Sequence, residues 1–155
     1  MSQFYKYQIM KNLLFIFFLT AFCSFAHAQT PKVSTESQND FATTTAKLEK
    51  AITAAGMTIF SKIDHQQNAT GAGMQLDSTV VYIFGNPKAG TLLMNENPAI
   101  AAELPLKITI YKNGIVYLLH DKPTDWAIPY GIIKQKALLT KMEQGLDMLI
   151  KTAAN

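Results

Sequence analysis

Residues 85–91 carry the groups best suited to binding a small anion. The apolar run 80–84 ends here in a turn that opens a predicted helix, with Pro87 at the first helical position. The first N–H groups of a helix lack partners within it and attract negative charge. The loop lacks the glycine spacing of dinucleotide-binding loops and the Gly-Lys-Ser/Thr order of a P-loop. The alternative is a structural turn in which Asn86 caps the helix. The candidate ligand-binding residues of this loop are Gly85, Asn86, Lys88, Gly90 and Thr91.

A second candidate is the pair Asp64-His65, at the end of a predicted strand. A carboxylate can orient an imidazole for acid–base catalysis or for metal binding. Neighbouring residues on a strand point to opposite faces, which argues against direct contact between the two side chains. The alternative is a structural or capping role for Asp64.

A predicted β-hairpin supplies the third candidate pair. Asn113-Gly114 is a preferred sequence for a two-residue type I′ turn. If these two residues form the loop, counting outward along the strands places Lys107 opposite His120. Two basic groups facing each other would attract an anionic ligand. The alternative is a solvated edge of the hairpin.

The first 28 of the 155 residues have the layout of a cleavable secretory signal peptide. A basic start precedes an apolar run, and Ala26-His27-Ala28 offers small residues at the cleavage positions. The run has roughly 11–13 residues, against about 20 for a membrane span, so a membrane anchor is the less favoured alternative. A lipoprotein signal at Cys23 is disfavoured by the bulky residue before it. We expect cleavage after Ala28, a periplasmic or secreted bacterial protein, and one domain over residues 29–155.

The charge balance argues against nucleic acid as a partner. Two of the 14 lysines lie in the leader, which leaves 12 against 11 acidic residues and a net charge of about +1. The chain has no arginine, the residue best suited to bidentate phosphate and guanine contacts. After cleavage we also expect no membrane association.

After residue 28 the sequence offers few residues for metal binding or nucleophilic catalysis. The only cysteine leaves with the leader, and His65 and His120 are the remaining histidines, so we expect no metal site and no cofactor. No Gly-x-Ser-x-Gly element is present. The methionines recur at core spacing and are interpreted as packing residues. They are Met57, Met74, Met94, Met142 and Met148.

Hydrophobic periodicity predicts a mixture of helices and strands. The predicted helices cover residues 41–55, 87–94, 98–102 and 131–152, with a further short helix and a loop within residues 66–77. The predicted strands cover 57–63, 79–84 and the two arms of the hairpin. Residues 29–39 are either a first strand or a linker. Because a tight hairpin makes the sheet at least partly antiparallel, the predicted fold class is α+β, with helices packed on one face.

Several motifs, taken in order, resemble the DUF302 (TT1751-like) family. They are Phe41 through Leu48, Gly56-Met57, Ile63-Asp64-His65, Phe84 through Met94, Asn97-Pro98 and Leu104-Pro105-Leu106-Lys107. The resemblance covers most of residues 35–120 and implies a TBP-like, curved and mainly antiparallel sheet with helices on one face. It also implies a homodimer, and it implies no reaction. His120-Asp121-Lys122-Pro123 stands where the family has a Tyr-Asn-Asp-Pro-like stretch, so a role that rests on that tyrosine does not carry over.

Three functions follow as hypotheses. The first is a non-catalytic, dimeric, exported domain that binds a small ligand, such as an anion, near residues 85–91. The second is an enzyme that uses Asp64, His65, Lys107 or His120 in acid–base chemistry. The third is a structural or stress-related interaction protein without a small ligand. An enzyme should bring two of those groups within hydrogen-bond reach in a cleft.

Overall fold

Residues 32–155, the part of the chain that the computed structural model describes, form a five-stranded sheet with four α-helices. The predicted signal peptide lies outside these residues. The strands are β1 (Val33–Glu36), β2 (Thr58–Asp64), β3 (Thr79–Gly85), β4 (Leu106–Asn113) and β5 (Ile115–His120). The helices are α1 (Phe41–Ala54), α2 (His65–Gly71), α3 (Pro87–Glu96) and α4 (Lys136–Ala154). Short 3₁₀ helices cover Pro98–Ala102 and Pro123–Trp126. No helix within this part of the chain is both long enough and apolar enough to cross a membrane.

The strand order in the sheet is β1-β5-β4-β3-β2, and every pairing is antiparallel. The predicted α+β class is confirmed. The segment that could have been a linker forms the edge strand β1, which pairs with β5. This pairing brings the beginning of the domain beside the end of the hairpin.

The core lies between one face of the sheet and the helices α1 and α4. Burial alternates along β3, β4 and β5, as expected for strands covered on one face. The buried side chains of these strands include Val80, Tyr82, Phe84, Ile108, Ile110 and Leu118. The apolar stripes of the two helices supply Leu48, Ile52, Leu139, Leu146, Leu149 and Ile150.

The hairpin turn is tighter than predicted. Gly114 alone separates the strands, with φ of 72°, and Asn113 pairs directly with Ile115. The register is therefore one residue away from the predicted one, and such a slip exchanges the two faces of a strand. In the observed register Val116 and Leu118 are buried under the helices.

The last helix begins five residues later than the predicted start at 131. Gly131 has φ of 59°, a left-handed conformation that suits glycine and interrupts helical geometry before α4. The backbone N–H groups of residues 133–135 donate to the carboxylate of Glu96 instead. These residues form the approach to α4.

Candidate functional site

The start of α3 is already capped by its own sequence. The side-chain oxygen of Asn86 accepts hydrogen bonds from the N–H groups of Lys88, at 2.9 Å, and Ala89, at 3.4 Å. The Thr91 hydroxyl donates to the carbonyl of Pro87 at 2.8 Å. The backbone N–H groups of Lys88 and Ala89 and the Thr91 hydroxyl, which would have held an anion, are thus satisfied within the loop, so the structural-turn interpretation describes this helix start.

The same loop forms one wall of a cleft with a volume of about 560 Å³. The other walls come from the end of α1, the bulge in β2, the start of β4 and the middle of α4. Its lining side chains are mostly apolar and include Met57, Phe60, Pro87, Met94, Leu104, Pro105, Leu106 and Met142. Asn86, Thr91 and Lys141 are the polar side chains that line it. Of the sequence-predicted residues, Gly85, Asn86, Gly90 and Thr91 lie in the wall, whereas Lys88 does not.

Gly90 and Gly145 are among the residues that line the cleft. Gly145 lies inside the 19-residue helix α4, where glycine costs about 0.5–1 kcal/mol relative to alanine. A Cβ placed on it would meet only the methyl carbon of Met57 at 3.8 Å, which is ordinary contact. A Cβ on Gly90 would likewise come no closer than 3.7 Å to Leu104. Neither close packing nor backbone angle requires glycine at these two positions.

Asp64 and His65 lie at the far end of the sheet from this cleft. Asp64 pairs with Val80, whereas Thr58, at the other end of β2, pairs with Gly85. Seven strand residues, at about 3.3 Å each, separate the two ends. The Asp64 carboxylate caps α2 by accepting from the N–H of Gln67 at 2.9 Å, as the capping alternative expects, and His65 is exposed.

The predicted pairing of Lys107 with His120 is wrong. His120 lies opposite Ile108, on the face covered by helices, and its side chain is 2% exposed. Its Nδ1 lies 2.7 Å from the carbonyl oxygen of Asp121. Lys107 points to the other face of the sheet and donates to the carbonyl of Glu103 at 3.3 Å. The one-residue change of register separates the two side chains.

Tyr82 has the large pKa shift among the described residues, and it belongs to a set of hydrogen bonds that joins α1 to the sheet. The Tyr82 hydroxyl donates to the Glu49 carboxylate at 2.7 Å, and Lys62 donates to the same oxygen at 2.8 Å. Burial, together with the hydrogen bond to Glu49, raises the pKa of Tyr82 to about 12. The hydrogen bonds from Lys62 and Tyr82 lower the pKa of Glu49. None of the three side chains lines the cleft, so their shifts describe packing.

Sequence reasoning missed most of the cleft. Met57, Met94 and Met142 are half-buried at the edge of the core and line the cleft, while Met74 and Met148 are 66% and 68% exposed. The core role predicted for the last two is wrong. The useful signal was a glycine inside a predicted helix. Glycine lowers the stability of a helix interior, so its presence there points to a packing or functional reason.

Metal ligands do not converge within the described part of the chain. In residues 32–155 no group of three or more His, Cys, Asp or Glu side chains is arranged to hold an ion. The buried side-chain polar atoms of the same residues all have hydrogen-bond partners. The cleft therefore stands as the candidate site on its shape and lining.

Curated relatives match most of this chain but only part of their own length. The Fluoride-specific ion channel FluC 1 of Brucella suis is 34% identical over 125 residues, which are 79% of this chain and 49% of that protein. FluC 1 of Brucella abortus and FluC 2 of Brucella melitensis match at the same identity over 46% of their length. The chain thus spans about half the length of the curated relatives it matches.

The comparisons with a solved structure and with a family model agree with the sequence motifs. A crystal structure of a conserved DUF302 protein from Bacillus stearothermophilus superposes with a TM-score of 0.70, at 18% identity, covering 80% of this chain and 98% of that one. At that identity the likeness concerns the fold alone. The family model described as domain of unknown function DUF302 matches residues 33–153, and the chain belongs to this family.

Proposed function

We propose that this protein is a non-catalytic binding domain that takes a small, largely apolar molecule in the cleft beside residues 85–91. The observation that carries the proposal is a cleft of about 560 Å³ whose walls are mostly apolar. Small-ligand sites are typically concave, mostly apolar and about 300–1,000 Å³ in volume.

The composition of the walls favours a flexible apolar ligand. Three methionines contribute unbranched, polarisable side chains that adapt to different shapes. Phe60 supplies an aromatic surface and is 48% exposed. Water displaced from such walls by an apolar ligand is the main source of binding free energy.

The absence of catalysis is proposed on the positions of the candidate acid–base groups. Asp64 and His65 lie at one end of the sheet, and His120 is buried under the helices. Lys107 points to the opposite face. None of these four side chains lines the cleft, so the acid–base hypothesis gains no support from the described residues.

Fluorescence of N-phenyl-1-naphthylamine, an uncharged apolar probe, tests the proposal. We expect a saturable increase with the wild-type protein and loss of binding in Gly145→Leu, because the added side chain fills the cleft. Gln144→Leu is the matched control, since Gln144 is an exposed neighbour on α4 that does not line the cleft. Equal binding by both variants, or none by the wild type, would overturn the proposal.

A second pair of variants guards against a folding defect in α4. Ala101 lines the cleft from the 3₁₀ helix, whereas Ala102, beside it, is exposed and does not. Ala101→Trp should abolish probe binding and Ala102→Trp should retain it. Circular dichroism of all four variants checks that the fold is intact.

We also propose that the protein is a homodimer, joined through the sheet face that turns away from α1 and α4. Half-buried apolar side chains follow one another across that face, outside the main core. They include Val81, Ile83, Tyr111, Tyr117 and Leu119, and the two tyrosine rings stack at 5.3 Å. Leu119→Lys should shift sedimentation to the monomer, while Leu92→Lys, at an exposed apolar residue of α3, should not.

Export remains a proposal that rests on the leader sequence. Mass spectrometry of the protein from its native host should find Gln29 at the mature N-terminus. An N-terminus at Met1 would contradict it.

The curated relatives favour a second candidate, a role connected with fluoride. Thirty-four per cent identity over 125 residues relates this chain to proteins named as fluoride-specific ion channels. Sodium fluoride and sodium chloride, compared at equal concentration in a thermal-shift assay, test this candidate. Stabilisation by fluoride alone supports it, and equal effects of the two salts count against it.

A further inference from the structure

The cleft has a single charged residue in its walls, and that residue is a lysine. Lys141 is the lining side chain that ionises, and no aspartate, glutamate or histidine lines the cleft with it. A cationic ligand would meet no opposite charge there, whereas an anionic group would meet one. The lining therefore favours negative charge on an otherwise apolar molecule.

Lys141 forms no ion pair within residues 32–155. The ion pairs of this part of the chain join Lys32 to Asp121 and Lys62 to Glu49. The positions three and four residues away from Lys141 on α4 hold alanine, leucine, glutamine and glycine, so the helix offers it no carboxylate partner. Lys141 is exposed and lines the cleft.

Asn86, another polar side chain of the lining, adds hydrogen-bond donors. Asn86 accepts the helix N–H groups through its oxygen, which leaves the two N–H bonds of its amide without a partner in the described residues. Because its oxygen already accepts from the helix, the Asn86 amide offers a ligand hydrogen-bond donors. Both Lys141 and Asn86 thus favour an acceptor on the ligand.

We propose that the ligand is an amphiphilic monocarboxylate, with its carboxylate at Lys141 and its hydrocarbon portion along the methionine-lined walls. The exposed position of Lys141 suits this arrangement, because the carboxylate of the ligand keeps part of its water while the hydrocarbon portion leaves water. The lysine contributes selectivity for the anion, and the apolar walls contribute most of the affinity. This inference rests on the proposed function, because it assigns a chemical class to the same site.

Competition for the bound naphthylamine probe by octanoate, 1-octanol and octylamine tests the inference. The three compounds carry the same chain with an anionic, a neutral and a cationic head group. Octanoate should displace the probe at a concentration about five- to tenfold lower than 1-octanol does, as expected for one charge-assisted contact. Octylamine should be the weakest competitor.

Lys141→Gln should raise the displacing concentration of octanoate about five- to tenfold and leave that of 1-octanol unchanged. Lys136→Gln, at an exposed lysine of the same helix outside the cleft, should change neither. Equal competition by octanoate and 1-octanol, or an octanoate affinity that Lys141→Gln leaves intact, would overturn the inference while the apolar site stands. Failure of the probe and of all three compounds to bind the wild type would overturn the proposed function as well.

Discussion

The dipeptide Asn-Pro opens two neighbouring helices of this protein. At the first helix the asparagine side chain bonds only within its own turn, whereas at the second it also bonds to a distant segment. Asn86 accepts from the N–H of Lys88 at 2.9 Å, and Asn97 accepts from the N–H of Ala99 at the same distance. Locally the two turns are alike. The second turn also donates from the amide of Asn97 to the carbonyl of Tyr130 at 2.8 Å.

Glu96 extends this difference. Its carboxylate accepts from the N–H groups of Ile133 at 2.6 Å, Lys134 at 2.8 Å and Gln135 at 2.9 Å. The second turn therefore anchors the segment that leads into α4, the helix that carries Lys141 and Gly145. The same local motif can be a simple cap or an anchor, depending on which residues the fold brings to its outer side.

Glu96→Ala should have the largest effect of the variants that test this comparison. It leaves three backbone N–H groups without their charged acceptor at the approach to α4. We expect a lower melting temperature than for any cap variant below, and weaker naphthylamine binding because α4 forms a wall of the cleft. Calorimetry measures the first effect. A melting temperature equal to that of the wild type would mean that the contacts of Glu96 with residues 133–135 do not stabilise the fold.

The pH dependence of stability sharpens the role of Glu96. Desolvation raises the pKa of Glu96, but the N–H donors of Ile133, Lys134 and Gln135, with the charge of Lys134, outweigh it and lower the pKa from its ordinary 4.5. A lowered folded-state pKa means that the contribution is complete above the unfolded-state value and is lost as pH falls through the folded-state value. Glu96→Gln should therefore flatten the fall in stability below about pH 4.5. Urea unfolding at pH 7 and pH 3 checks this, with Glu36→Gln as an exposed control.

Asn97→Asp separates the local and the tertiary contacts of the second turn. Aspartate still caps the 3₁₀ helix, but it cannot donate to the carbonyl of Tyr130. We expect a loss of about 1–2 kcal/mol in the free energy of unfolding. The same change at position 86 should cost about 0.5 kcal/mol or less, because Asn86 makes only capping contacts. Equal losses at both positions would contradict the distinction between the turns.

Asn86→Ala should lower the free energy of unfolding by about 1 kcal/mol, since it removes the side-chain cap of α3. Urea denaturation measures this loss. Asn86→Ser, which keeps a capping oxygen, should recover most of it. If serine and alanine behave alike, the hydrogen bonds of this cap do not stabilise the helix.

Among the alanine variants Asp64→Ala should show the smallest effect, about 0.5 kcal/mol, at the low end for a cap. The helix that Asp64 caps has seven residues and no buried side chain, so little of the fold depends on it. Chemical denaturation detects the change, with Asp64→Asn as the conservative control. A loss much larger than that of Asn86→Ala would mean that Asp64 does more than cap α2.

Most secondary-structure elements were predictable because their signals are local. The caps at Asp40, Asn86 and Asn97 act on N–H groups two or three residues away, and the periodicity of α1 lies within one segment. The hairpin was predictable, but its register was not. One residue at Gly114 decides which face of β5 is buried, and only packing under the helices selects it.

The candidate site was predictable in part. Residues 85–91 were identified by sequence, and four of the five candidates there line the cleft. Lys141 and the methionines were missed because their shared space exists only after α1, α3 and α4 meet. Gly145 carried the usable signal, because it occupies a helix interior where alanine would have given a more stable helix.

The sequence by itself determined which segments become helices and strands, where several of them start, and which family motifs the chain carries. These properties depend on hydrogen bonds and periodicities that span a few residues. The tertiary structure decided which face of β5 enters the core, how Glu96 reaches residues 37 to 39 positions away, and that a cleft with one lysine lies beside residues 85–91. Such contacts join distant segments, so their geometry follows from packing the whole domain and cannot be read from neighbours in the chain.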